Sequence, residues 1–557
     1  MSRALTPQSS LDSLKKEAKR WLKALRAGDA EARARLLAAT PTAATAPTLR
    51  DVQHALAREH GLSGWSAFKP ALDDLALSSR SRAEHVEIVL RASWQGGDPE
   101  AARRILARWP AIGTDNIHIA VATGNLAEAR RRIAADPNAA TSKGGSLNWE
   151  PLLYLAYARL PGGDTHALEI ARLLLDHGAN PGAEFNDGWD NAFKVLTGVI
   201  GQGEGDRQGH PRARALAELV IERGADPYDS QALYNTSITR DETDWLDFLW
   251  SQCERRGRLP AWRTAPQPSI GGRLQLNPLD YLLGNAVAYN HLKRAEWLLL
   301  HGANADGPHA YSGRPLREEA LVYGHVEMAD LLVRHGAAAP SLRGKAAFQA
   351  ACMRLDRDAA RAVAAQHPEC LLDAETMLTA ARKGRSDVVA LLLELGVHVD
   401  VADEGQQRGI QMAVLGNSPD VVKLLAAHGA DIDRPTLQVG GGAMGYAAHF
   451  QRREIAEFLA PLSRDVWELA YLGMTARLKE LLEEDRALAN LANPKYGMTP
   501  LFCLPDDEDL ALEVAELLLA YGADPNAKNK DGVTAERSAR RRGMVDVADL
   551  MAGEDAD

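Results

Sequence analysis

Cys253, Cys352, Cys370 and Cys503 are the only thiols in the chain, and they are widely spaced. No CxxC pair occurs, so neither a zinc site nor a redox couple is implied, and a reduced, intracellular setting fits. Among the 16 histidines there is no HExxH and no His/Cys cluster. His177, His301, His335 and His428 instead recur at one position after an apolar run, where an imidazole can meet the negative end of a helix. Gly440-Gly441-Gly442-Ala443-Met444-Gly445 satisfies G-x-G-x-x-G. A dinucleotide site needs that run between a strand and a helix, and no such unit surrounds it. Gly201-Gln202-Gly203-Glu204-Gly205 lacks the Lys-Ser/Thr of a phosphate cradle. With no G-x-S-x-G either, the sequence carries no catalytic constellation, and the expectation is a non-enzymatic protein without metal or cofactor.

The elements that hold these residues are helical. Ala, Leu and Arg dominate, apolar residues make up 46% and aromatics only 6%, a composition of strong helix formers. A chain of 557 residues exceeds what one core serves, so it must be several domains or a repeat array. The net charge of −11 disfavours general nucleic-acid binding, which rests on phosphate neutralisation. Residues 1–72 nevertheless carry 12 Lys and Arg against 6 Asp and Glu, leaving an acidic remainder. Such a basic segment either touches the acidic body or meets an acidic partner. No apolar signal core occupies Met1–Ser10 and no run of 18 apolar residues occurs, so the expected protein is soluble and cytoplasmic, without a membrane partner.

One phrase recurs: an apolar run, a polar residue, then Gly-Ala-Asp/Asn. It reads Leu173-Leu174-Leu175-Asp176-His177-Gly178-Ala179-Asn180, then Leu298-Leu299-Leu300-His301-Gly302-Ala303-Asn304, and returns around Gly224, Gly336, Gly396, Gly429 and Gly522. It marks a helix end, since glycine takes the left-handed conformation just past the last turn without a Cβ penalty. Upstream of each phrase lies a shorter helix joined by its own turn, as in Leu321-Val322-Tyr323-Gly324-His325-Val326 and Val121-Ala122-Thr123-Gly124-Asn125-Leu126.

These residues resemble the ankyrin-repeat family, with its pattern G-x-T-P-L-H-x-A-A followed by G-H-x-x-x-V-x-x-L-L-x-x-G-A-D-x-N. The copy nearest to it runs from Gly497-Met498-Thr499-Pro500-Leu501-Phe502 to Gly522-Ala523-Asp524-Pro525-Asn526. The resemblance spans about residues 84–552 and implies an all-α solenoid of about 14 helix pairs. The family's T-P-L-H opening is poorly kept, its His being absent throughout, so several copies should be held to their neighbours more loosely.

The expected organisation is a small basic helical unit over 1–75, a linker over 76–83, and the solenoid over 84–557 with insertions at 198–212 and 254–276. The N-terminal unit is similar to the short helical segment that precedes ankyrin arrays in many bacterial proteins. Its first helix sets Leu11, Leu14, Ala18, Trp21, Leu22 and Leu25 on one stripe and lysines and arginines on the other face. That helix either packs its stripe on a second one or lies on a membrane surface. Thr48 with Asp51 is a capping box for the second helix.

The resemblance implies a protein–protein interaction scaffold that binds through the concave face of the array. Large aromatics at turn tips are natural anchors. Trp149, Trp189, Tyr311 and Tyr496 precede or begin first helices, Glu150, Asp187 and Asp190 add negative charge, and Trp262 lies on the second insertion. For each aromatic the competing reading is packing within its own turn. Two other readings stay open: an enzyme or small-ligand protein with no legible motif, and nucleic-acid binding through the basic N-terminal unit.

Overall fold

The computed structural model describes residue 5 and residues 11–41, 47–186, 188, 192–203, 207–264, 274–339, 341–437 and 441–553. Among the described residues the elements are almost entirely helices, with one two-stranded antiparallel hairpin, Glu184–Asn186 with Ala192–Lys194. The chain divides into a discontinuous unit, Met1–Ala76 with Ala347–Asp557, and a central unit, Leu77–Ala346.

Helix–turn–helix pairs build both units, and where the Gly-Ala-Asp/Asn phrase occurs its glycine marks the second helix's end. Gly178, Gly302, Gly396, Gly429 and Gly522 all have φ between +81° and +97°, where a side chain would be strained. The histidines of the same phrase close the last turn. The Nδ1 atoms of His177, His301 and His428 lie 2.6–2.8 Å from the carbonyl oxygens of Leu173, Trp297 and Leu424, four residues back.

In the central unit, first helices pack side by side in one layer. Pro151–Tyr157 touches Ile117–Ala122 and Val195–Ile200, and Pro278–Ala288 touches Ser230–Ile238 and Leu316–Val322. Second helices form the other layer, as in Ala167–Asp176 against Ala213–Glu222 and Leu292–Leu300 against Val326–Arg334. The buried side chains of this unit's helices include Leu153, Ile170, Leu216, Leu249, Leu282, Leu298 and Leu332.

The discontinuous unit repeats this plan. First helices Glu375–Arg382, Gly409–Leu415, Ala443–His449 and Val466–Tyr471 adjoin in sequence, backed by Ser386–Glu394, Pro419–Ala427 and Arg453–Leu459. The copy nearest the family pattern departs from it in structure. After Thr499 only a 3-10 turn, Pro500–Phe502, forms, because Pro505 stops a helix that would otherwise continue. The Gly-rich run belongs to a repeat turn, with Gly441 and Gly442 leading directly into Ala443–His449; Gly440 lies outside the described residues.

The N-terminal helices form a core of their own. Leu14, Ala18, Trp21 and Leu22 of Leu11–Arg26 pack with Leu36, Val52, Ala55, Leu56, Trp65 and Phe68. The Thr48–Asp51 capping box starts Leu49–Glu59. Over residues 76–83, expected as a linker, one helix gives way to another. Phe68–Ser79 ends there and Arg82–Arg91 begins there, capped by Ser81 with Glu84. The basic face of Leu11–Arg26 is engaged internally: Lys15 pairs with Glu508, and Lys19 Nζ lies 3.2 Å from Asp546 Oδ1.

Candidate binding surface

The turn fingers between repeats hold the aromatic side chains expected at a partner surface, and burial sorts them into two groups. Trp149 belongs to the core, being 5% exposed. Its backbone pairs with Gly144, whose N–H donates to the Trp149 carbonyl over 3.1 Å. Its indole is surrounded by Phe185, Tyr154, Tyr157 and Trp94 at 4.3–6.2 Å between ring centres. Four aromatic rings offer more contact than water would, so the residue read as a tip anchor packs within the unit instead. Glu150 is half-buried at the N-cap of Pro151–Tyr157 and caps it through no side-chain hydrogen bond. Asp187, Trp189 and Asp190 lie outside the described residues.

Trp262 is likewise removed from any surface, with 0% exposure. The insertion expected over 254–276 folds Leu259–Arg263 into a 3-10 turn that drives this indole between Trp250, Tyr228 and Trp297. The reading of Trp262 as a partner contact is corrected accordingly. An indole on an inserted loop gains more by filling the gap beside Cys253 and Trp297 than by remaining in water. The described residues of the first insertion are tied down too. Residues 198–200 complete a helix, Gln202 bridges Arg207, Gly203 N–H donates to the Asn235 carbonyl, and the Arg207 guanidinium lies 4.4 Å above the Trp94 ring.

Tyr311 and Tyr496 are different. Tyr311, 45% exposed, sits in the finger closed by the Pro308–Pro315 bridge. Its hydroxyl lies 2.8 Å from that of Tyr281, a 1% exposed residue of Pro278–Ala288. Burial and the bond to Tyr311 hold the Tyr281 phenol above its ordinary range. Tyr496, 49% exposed, occupies a finger of the discontinuous unit, where its carbonyl accepts the Lys530 N–H of the next finger over 3.0 Å. Leu437, 69% exposed, holds an equivalent place, its N–H donating to the Gly405 carbonyl.

Behind Tyr311 the first-helix layer is unusually polar. Gln231 Nε2 donates to Asn235 Oδ1 over 2.8 Å, and Asn285 Nδ2 donates to Ser237 Oγ over 3.0 Å. Thr197 Oγ1 donates to Asp229 Oδ2, a carboxyl that burial pushes up. The sequence signal for this layer was the i, i+4 pairing of Gln231 with Asn235 and of Tyr281 with Asn285 inside apolar helices.

One cluster has the residue types of a nucleophilic site. His309, Ser312 and Glu319 converge in the same finger, with Glu319 only 1% exposed. The Ser312 hydroxyl, however, donates to Glu319 Oε2 over 2.9 Å, and the Ser312 N–H points at His309 Nδ1. An activated serine would donate to the imidazole, which a second group orients. Arg314, 3.7 Å from Glu319, balances the buried carboxylate, and the cluster reads as a finger brace. Among the described residues no group of three or more His, Cys, Asp or Glu could hold a metal ion, and no helix is long and apolar enough to cross a membrane.

Comparison with known proteins adds independent findings. A family model described as ankyrin repeats (3 copies) matches residues 376–469, and one described as ankyrin repeat matches 496–530. The chain is 29% identical over 172 residues to an ankyrin repeat and SAM domain-containing protein 6 of Danio rerio, a match covering 28% of this chain and 23% of that relative. It is 28% identical over 188 residues to a putative ankyrin repeat protein, YahD, of Escherichia coli strain K12, covering 31% of this chain and 92% of that relative. Solved structures align at a TM-score of 0.26 and 22% identity over 32% of this chain. They include a predatory endopeptidase from Bdellovibrio bacteriovorus in complex with an immunity protein and an ankyrin repeat domain from Acinetobacter baumannii.

Proposed function

The chain belongs to the ankyrin-repeat proteins, and on that footing we propose that it is a non-catalytic binding protein that engages a protein partner through its turn fingers and first-helix layer. Ankyrin repeats generally mediate protein–protein interaction. The observation that carries the reading to particular residues is Tyr311: nearly half exposed, yet held by its hydroxyl to buried Tyr281. An exposed ring that is already ordered offers a partner large contact area with little entropy left to lose. Tyr496 and Leu437 offer comparable exposed area on fingers whose backbones are bonded to their neighbours.

Site-specific photo-crosslinking tests this reading. A photoreactive phenylalanine at position 311 or 496 should crosslink one discrete protein in host extract. The same group at Glu327, on a second helix, should not. Equal crosslinking from all three positions, or none from 311 and 496, would remove the fingers as the binding surface.

A further inference from the structure

The seam between the N-terminal helices and the last described repeats lies wholly within the discontinuous unit. Helix Leu11–Arg26 spends its apolar stripe inside the N-terminal core, so that core does not depend on the repeats for its apolar partners. The face that meets helices Glu508–Ala520 and Val545–Ala552 is charged. Lys15, 2% exposed, pairs with Glu508. Lys19 Nζ approaches Asp546 through its carboxylate at 3.2 Å and its backbone carbonyl at 3.3 Å. Glu508 Oε1 also accepts the Asp546 N–H over 3.1 Å.

Asp546 is 1% exposed, and apart from the Lys19 ammonium its carboxylate oxygens receive no hydrogen bond among the described residues. Removing the lysines would leave a buried negative charge unbalanced, which is far costlier than losing a surface pair. Apolar packing across the seam is thin by comparison. Among the described residues, Leu49 packs against both the N-terminal core and the repeat core. Beside it a cleft of about 520 Å³ separates Arg50, His54 and Trp65 from Asp507, Glu513 and Glu516.

We propose that the N-terminal helices form a detachable clasp on helices Glu508–Ala520 and Val545–Ala552, held shut by the Lys15–Glu508 and Lys19–Asp546 pairs. A self-sufficient core on one side, two charge pairs in the middle and an open cleft beside them describe a contact that separates without either side unfolding. Opening uncovers an acidic repeat face fitted to a basic helix.

The test is hydrogen exchange read by mass spectrometry on the full-length protein. In the double variant Lys15→Glu with Lys19→Glu, amides of Val545–Ala552 should exchange at least tenfold faster. Those of Leu49–Glu59 and of Pro419–Ala427 should stay within threefold of the parent. The charge-preserving variant Lys15→Arg with Lys19→Arg should remain closed. The proposal is overturned if the Glu variant leaves Val545–Ala552 protected, because the charges then do not hold the seam. It is equally overturned if Leu49–Glu59 loses protection in parallel, because the lysines then support the N-terminal fold itself. Opening by the Arg variant to the same extent as by the Glu variant would show that shape, not charge, closes the seam.

Discussion

The hydroxyl groups of Tyr281 and Tyr311 lie 2.8 Å apart, one on a buried first helix and the other on an exposed finger. The pair separates two contributions to binding. Tyr311→Ala should weaken capture of a protein crosslinked from position 311 by about 30-fold, the scale of an interface hot spot. Tyr281→Phe keeps both rings and removes only the tether, so a loss of about fivefold is expected, the worth of one hydrogen bond. Titration of each variant with that protein checks the ranking, and a larger effect for Tyr281→Phe would contradict it.

Trp262 should behave in the opposite way. Its complete burial among Trp250, Tyr228 and Trp297 makes Trp262→Ala a cavity-forming change costing about 3–5 kcal/mol. A urea titration followed by circular dichroism should show the early loss of part of the helical signal. An unchanged transition would mean that the insertion is not part of the packed repeat.

Gly429 has φ +81° and nothing within 4 Å of an added Cβ, so only backbone strain opposes a side chain there. Gly429→Ala is expected to cost about 1–2 kcal/mol, and Gly429→Asn less, since asparagine tolerates that conformation. Equal urea midpoints for the two variants would place the cost elsewhere.

Burial lifts the Asp465 carboxyl to about 6 and that of Glu468 to about 7, each raised further by a nearby carboxylate. Both groups hold protons more tightly folded than unfolded. Their contribution to stability therefore falls as pH rises from about 4, where unfolded carboxylates titrate, to about 7, and is level above that. Glu468→Gln should flatten this slope and raise stability at pH 8 by about 1–3 kcal/mol. Exchange rates in Val466–Tyr471 at pH-corrected conditions check it, and a variant less stable at pH 8 would reverse the sign.

Local rules were legible in the sequence because each acts within a few residues. The glycine of the repeated phrase, the histidine closing the same turn and the Thr48–Asp51 box all take the predicted geometry. The aromatic anchors were only half legible. Trp149 is a bridge residue directly before its N-cap Glu150, whereas Tyr311 lies inside the Pro308–Pro315 loop, and Trp94 and Phe185 arrive from other repeats to enclose Trp149. The stripe of Leu11–Arg26 correctly announced a buried face. Nothing local indicated that Lys15 would meet Glu508, a pairing decided by how the stacked repeats deliver a distant helix.

That pairing also sets a timetable for biosynthesis. Lys15 and Glu508 are 493 residues apart, so at ordinary translation speeds of about 5–20 residues per second the N-terminal helices leave the ribosome about 25–100 s before their counterpart exists. For that interval Lys15 and Lys19 are an exposed basic face on a nascent chain, open to chaperones and to neighbouring polysomes. A synonymous slowing of translation between the two would lengthen that exposure without changing a single side chain.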